Sequence, residues 1–319
     1  MAHNNRKPKM LPYTLKSFQK QFPDDATCLE WLKNYLYPDG IFCDACQAIT
    51  KHHRVVSRPS YSCDHCGHHV HPTADTIFHK SPTPLTVWFY AIYLMASTRC
   101  GISAKQIQRE TGVTYKTAWR MFKQIRTMLD DEDAPPFGGK GGKPVEIDET
   151  YVGGRQRGHP GRSTPFYSNS KTPVVGVVER KGRVRAYTTL DTKKDTVMTI
   201  IKERVLPQST VFTDDYCVYD DLGRHRNEYR HHRINHSAKV YVVGEIHTNT
   251  IEGFWSLVKN GLRGVYHSVG KHYLQSYLNE FSFRYNRRFD EQPMFLSFLQ
   301  QVEKRDMVVR QSPIPVEPF

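Results

Sequence analysis

Two cysteine knuckles constrain this chain more than any other feature. Cys43-Asp-Ala-Cys46 and Cys63-Asp-His-Cys66 enclose sixteen residues, a spacing within the window of a four-thiolate zinc site. Two residues between cysteines form a tight turn that aims both sulfurs at one tetrahedral ion. Gly67, just after Cys66, suits the backbone such a knuckle needs. Arg54-Val-Val and Tyr61-Ser read as short ribbon strands around the second knuckle. The expected ligands are Cys43, Cys46, Cys63 and Cys66, holding a structural Zn²⁺. Four thiolates complete the shell, so the ion would act as a staple and not as a catalyst.

The chain is 319 residues long, enough for two or three compact units. Its 45 Lys and Arg against 32 Asp and Glu leave a formal charge of +13, which favours a polyanion partner. A soluble basic protein without such a partner has the same balance. His52, His53, His65, His68, His69 and His71, not needed as ligands, are expected at the surface or facing DNA. With 38% hydrophobic and 12% aromatic residues, wholesale disorder is excluded. Cys28, Cys100 and Cys217 are scattered, and an odd total of seven argues against a disulfide framework. No apolar run approaches ~18 residues and no signal peptide precedes the first helix, so a soluble, reducing compartment and no membrane partner are expected.

Leu15 to Leu36 has helical spacing, with Phe18, Phe22, Leu29, Leu32 and Leu36 apolar, and Pro23 divides it into two short helices. A further helix opens at Pro84. Beyond it, Ser103 is a candidate N-cap, Gly112 a break and Thr114 the cap of a second helix carrying Lys116, Arg120, Lys123 and Arg126. This pattern predicts a helix-turn-helix whose second helix enters a major groove. An ordinary helical hairpin with solvated cations shares the pattern. Residues 1–80 are thus expected to form an N-terminal helix and zinc ribbon, and 81–130 a helical DNA-binding region. The Asp-, Pro- and Gly-rich stretch 131–144 reads as a linker.

Val145-Glu-Ile-Asp-Glu-Thr-Tyr-Val alternates as a strand, which puts Glu146, Asp148 and Thr150 on one face and Val145, Ile147, Glu149 and Tyr151 on the other. Strands are also expected at 173–179, 184–190 and 210–214, the last ending in Asp214, with a helix from about Asp195 to Val205. From Thr248 the pattern turns helical, and Glu252, Ser256 and Lys259 share one face. Carboxylates converging from two strands and a helix would suit Mg²⁺, a hard cation that prefers oxygen ligands. Among 32 acids, three distant ones taken singly read more readily as solvated or paired side chains than as ligands. Gly153-Gly-Arg-Gln-Arg-Gly-His-Pro-Gly-Arg is a basic loop whose Arg155 and Arg157 suit phosphate contacts or simple solvation. Arg284, Arg287 and Arg288 form a basic helical end, and Glu280 reads as a helix-surface acid or an accessory carboxylate.

Glu146-Ile-Asp-Glu-Thr-Tyr-Val-Gly-Gly, Phe212-Thr-Asp-Asp-Tyr and His247-Thr-Asn-Thr-Ile-Glu-Gly-Phe-Trp-Ser-Leu-Val-Lys together resemble the bacterial insertion-sequence transposases with an ISXO-like DDE domain. The continuation Gly261-Leu-Arg-Gly-Val-Tyr-His, Phe283-Arg-Tyr-Asn-Arg-Arg and the ribbon running into Thr76-Ile-Phe-His resemble them too, over about residues 15 to 300. The resemblance implies a mixed α/β chain, in which the ribbon and helix-turn-helix region precede a ribonuclease-H-like mixed-sheet catalytic domain at 145–300 and a tail at 301–319. It implies Mg²⁺-dependent (or Mn²⁺-dependent) DNA cleavage and strand transfer, with Asp148, Asp214 and Glu252 as metal ligands. Asn249, one turn before Glu252, is the alternative third ligand. Lys259 and Arg263 would contact DNA beside them. The implied partners are element ends and target as double-stranded DNA, in a homo-oligomer, within a bacterial cytoplasm at the nucleoid. A domesticated, non-catalytic DNA-binding regulator is the alternative reading.

Overall fold

The computed structural model describes residues 13–130, 134–153, 171–224, 228–234 and 247–303. The chain divides into two compact units. The first takes the described residues up to Arg99, Ala104–Met128 and the chain from Glu291, and the second takes Cys100–Ser103 and Leu129–Asp290.

In the first unit, α1 (Leu15–Gln21) is capped by the Thr14 hydroxyl, which accepts from the Ser17 N–H, and it stops before Pro23. Asp24 then caps α2 (Asp25–Leu36) by accepting from the Thr27 N–H at 2.7 Å. The ribbon follows as β1 (Phe42–Cys43) paired with β2 (Ala48–Ile49), and an antiparallel sheet of β3 (His52–Val55), β4 (Ser60–Cys63) and β5 (His69–Val70). Pro84 is the N-cap of α3 (Leu85–Ser97), one position before the first turn. The predicted helix pair forms as α4 (Ala104–Thr111) and α5 (Tyr115–Thr127), divided at Gly112 with φ of +72°. Thr114 caps α5 through the Thr117 N–H. The core of this unit is aromatic: Phe18, Phe22 and Tyr93 pack around Phe295 of the last helix, and Phe89 packs edge-on against Phe22. Burial of each such ring contributes roughly 1.5–3 kcal/mol.

The second unit is a five-stranded mixed sheet. After the short β6 (Phe137–Gly138), β7 (Val145–Val152), β8 (Thr172–Glu179) and β9 (Val184–Thr188) form an antiparallel meander. Then come α6 (Lys194–Arg204), β10 (Val205–Leu206, parallel to β6), β11 (Ser209–Thr213), α7 (Asp220–Arg224) and β12 (Tyr229–Arg233). β11 joins parallel to β7, and β12 parallel to β11, so the order across the sheet is β12-β11-β7-β8-β9. α8 (Asn249–Gly261) and α9 (Lys271–Asn286) complete the unit, and α10 (Met294–Leu299), which carries Phe295, belongs to the first.

Alternation along β7 feeds two cores. Val145 and Ile147 pack with Val197, Ile201, Val211 and Leu222 on the α6–α7 side. Val152 packs with Val174, Ile251, Phe254, Trp255 and Leu278 on the α8–α9 side. The sheet is therefore covered on both faces, and the even-numbered residues of β7 point at α8. β12 gave no sequence signal, because Tyr-Arg-His-His-Arg is a polar edge strand with only Tyr229 buried. Two expected surface groups are instead buried. Arg126 is 1% exposed with its guanidinium over the Phe122 ring, which removes it from the cationic face of α5. Glu280 is 1% exposed and bonded to Arg284 at 2.7 Å, so it is a paired interior acid and not a surface one. No helix among the described residues is long and apolar enough to cross a membrane.

Candidate functional site

The strand register brings two of the sequence-predicted acids together. In the parallel β7–β11 pair, Val211 lies across from Val145 and Phe212 from Glu146. β11 ends at Thr213, and continuing its register by two residues would bring Asp214 opposite Asp148, on the same face by the two-residue period. The acids are close enough to repel: burial first, then the charges of Glu149 and Asp214, push the Asp148 carboxyl up to about 7. Glu149 points to the other face, where it accepts from the Tyr219 hydroxyl at 2.6 Å, and its own carboxyl is raised by burial.

The first turn of α8 supplies the third predicted acid. Glu252 is exposed there, one of its oxygens accepting from the Thr248 hydroxyl at 2.9 Å, and Asn249 is the exposed first residue. One turn beyond Glu252, the Trp255 indole N–H donates to Asp148 Oδ2 at 2.9 Å. This contact occupies one oxygen of Asp148 and leaves Oδ1 to other partners. It depends on Gly176, which pairs with Asp148 across β8: a Cβ there would lie 2.5 Å from the Trp255 ring. Behind β11, burial holds His231 down to about 4, so the ring is neutral at neutral pH. Thr213 donates its hydroxyl proton to the Asp214 carbonyl, so it accepts from His231 Nε2–H at 2.9 Å. That pair fixes the strand end on which Asp214 sits.

A cavity of about 960 Å³ opens beside Val152 and the end of α8. Among the described residues its charged lining is Lys171, Lys259, Arg263 and Lys271, with His267 and no carboxylate. Arg263 lies in a π-helical turn, Leu262–Tyr266, that continues α8. Arg155 and Arg157 lie outside the described residues. In the first unit Lys116, Arg120 and Lys123 are all exposed on α5, and Arg120 also donates to Ser81 Oγ at 2.8 Å.

Cys43, Cys46, Cys63 and Cys66 bring one sulfur each within 4.8 Å of all the others, and among the described residues no other group of three or more His, Cys, Asp or Glu does so. Gly67 has the positive φ, +75°, that the second knuckle requires. Hydrogen bonds from Thr50 above all, and from backbone N–H groups, hold the Cys63 thiol down to about 5, and a thiolate is the form zinc binds. The flanking histidines are held elsewhere, His53 on Asp64 at 2.6 Å and His52 on the Thr50 carbonyl at 2.9 Å.

Residues 140–286 match the family model of the ISXO2-like transposase domain, and residues 23–69 that of the transposase zinc-ribbon domain. An uncharacterized transposase-like protein of Haemophilus influenzae is 34% identical over 113 residues, covering 35% of this chain and 87% of its own length. The chain belongs to the ISXO2-like transposases. An uncharacterized protein in transposable element ISH50 of Halobacterium salinarum is 29% identical over 281 residues, 83% of this chain and 92% of that one. A chain from the simian T-cell lymphotropic virus intasome in complex with PP2A regulatory subunit B56 gamma aligns with 59% of this chain and 66% of its own. At 15% identity and a TM-score of 0.27, that likeness is too slight to define a fold.

For a transposase domain, the donor set around Asp148 suits a hard divalent cation. Its oxygens are those of the Asp148 and Asp214 carboxylates, and the raised Asp148 carboxyl marks a pocket in which negative charge is poorly tolerated without a counter-charge. Sequence reading missed Trp255, Gly176 and His231 as parts of this site. The first two reveal themselves only through a contact across two elements, although Trp255 lies within the motif that carried the resemblance.

Proposed function

We propose that this transposase cuts and joins DNA at the ends of an insertion sequence, using Asp148, Asp214 and Glu252 as ligands for Mg²⁺ or Mn²⁺. The observation that carries the reading is the β7–β11 register, which supports Asp214 lying near Asp148, the acid whose Oδ2 accepts from Trp255 of the helix that bears Glu252. The order of the five strands supports a ribonuclease-H-like core. When bound, the ions would polarise the scissile phosphate and neutralise charge on the attacking and leaving oxygens. The chain's own groups do the rest. Trp255 holds Asp148 by one oxygen and leaves the other for an ion. A water, and afterwards the freed 3′-hydroxyl, attacks in line, so no Ser or Tyr nucleophile is needed.

Helix geometry favours Glu252 over Asn249 as the third ligand. At about 100° per residue, Glu252 sits about 60° round α8 from Trp255 and Asn249 about 120°. A carboxylate also binds Mg²⁺ better than an amide does. Lys259, Arg263, Lys171 and Lys271 line the cavity where phosphates flanking the cut would lie. The α4–α5 pair, with Lys116, Arg120 and Lys123 exposed, would dock on duplex DNA, and the zinc-stapled ribbon would support it. Arg155 and Arg157 would add phosphate contacts, and synapsis of two ends calls for a homo-oligomer.

The test uses labelled duplexes carrying the element's ends, with Mg²⁺. Wild type is expected to nick and then join strands, with activity abolished by a chelator. Asp148→Ala, Asp214→Ala and Glu252→Ala should each lose at least about a thousandfold in rate while DNA binding persists, whereas Asn249→Ala should keep most activity. Wild type that binds the ends and cuts under no divalent ion would instead support the non-catalytic regulator.

A further inference from the structure

We propose that Glu146 is a positioning residue: it anchors the first turn of α8 to β7 and so sets the distance between the third metal ligand and the first. This rests on the carboxylate reading above.

Glu146 is completely buried, two residues before Asp148 and on the same face of β7. A buried carboxylate is tolerated only when charge-paired and hydrogen-bonded. Here Oε1 accepts from Arg180 Nε at 2.7 Å and from the Thr250 hydroxyl at 2.9 Å. Oε2 accepts from the backbone N–H of Thr250 at 2.9 Å and of Ile251 at 3.0 Å. Those two amides are among the first-turn donors that a helix cannot satisfy internally.

α8 has no side-chain cap of its own at Thr248, whose hydroxyl bonds to Glu252 Oε1 instead. The capping group therefore comes from the sheet, 104 positions away in sequence from Thr250. Arg180 ties the arrangement further by also donating to the His247 carbonyl at the entrance to the helix. Its guanidinium lies over the Phe212 ring, 4.1 Å from the centroid, on the strand that leads to Asp214.

Two consecutive inward-facing residues of β7 thus hold one helix at two points. Glu146 takes the amides of Thr250 and Ile251, and Asp148 takes the indole of Trp255. Glu252 lies between those attachments, so its position relative to Asp148 is fixed from both sides. Glu146 itself has both oxygens engaged by donors, and its effect passes through the helix.

The test compares wild type with Glu146→Gln, which keeps the volume but removes the charge paired with Arg180 and replaces one of the two accepting oxygens by an N–H₂. Two readouts are independent of DNA cutting: hydrogen exchange at the Thr250 and Ile251 amides, and Mn²⁺ affinity by titration. Exchange is expected to speed by about tenfold or more, and Mn²⁺ affinity to fall about 10–100-fold, the usual range for groups that orient ligands. Metal-free DNA affinity should stay as in wild type.

Unchanged Mn²⁺ affinity in a variant with faster exchange would overturn the positioning role. Wild type that binds no Mn²⁺ would overturn the carboxylate reading itself, a distinguishable failure. Should Glu146→Gln not fold, Thr250→Val removes a single bond to the carboxylate, and the same comparison applies to it. A lower Mn²⁺ affinity then supports the role, and a wild-type affinity overturns it.

Discussion

At the scale of single residues, Asp148 is the most informative group in the chain. Its carboxyl is held up to about 7 by burial and by the charges of Glu149 and Asp214. The folded protein thus binds a proton more tightly than the unfolded chain does between about pH 4 and 7. That contribution is full below the ordinary carboxylate range and is lost as pH rises through 7. Calorimetry without metal should therefore show Asp148→Asn raising Tm by several degrees at pH 8 and leaving it nearly unchanged at pH 4. Adding Mg²⁺ should stabilise wild type more at pH 8 than at pH 5, and should not do so in Asp148→Asn. Gly176 is the second telling position. Gly176→Ala drives a methyl into the Trp255 ring, and overpacking of this kind costs about 1–3 kcal/mol. Denaturant unfolding should show that loss, together with a changed indole emission as the bond to Asp148 breaks.

Among the elements, those whose cause is local were legible in the sequence. Thr114 announces a helix start and accepts the expected backbone N–H. Pro23 and Gly112 mark breaks that the chain makes. The alternation of β7 assigns its faces correctly because a buried strand between two cores has one register that satisfies both. What stayed hidden depends on contacts distant in sequence. Arg126 looks like another surface cation until Phe122 is found beneath it. Glu280 looks solvated until Arg284 closes over it. β12 has no apolar pattern and exists because β11 offers it an edge. The ribbon shows the same contrast at the level of chemistry: its ligands are plain in the spacing, but the Thr50 contact to Cys63 is not. Metal removal tests that element directly. A strong chelator is expected to abolish hydrogen-exchange protection in β3, β4 and β5, and Zn²⁺ to restore it.

For the whole molecule, charge and carboxylates must be reconciled, since a chain of net charge +13 keeps several acids inside its basic second unit. On the proposed function, a polyanion and divalent ions would resolve the conflict together: the cations would take phosphates, and the acids the ions that activate one phosphate among them. Binding to element-end DNA should weaken steeply with salt, and Lys116→Ala or Lys123→Ala should each lower the slope of log affinity against log salt by about 0.9. The central claim is that Asp148 and Asp214 hold an ion jointly, and Mn²⁺ binding followed by electron paramagnetic resonance tests it most directly. Tight Mn²⁺ binding in wild type, lost in Asp148→Asn and equally in Asp214→Asn with the fold intact, is the predicted result. Either variant binding Mn²⁺ as wild type does would contradict it.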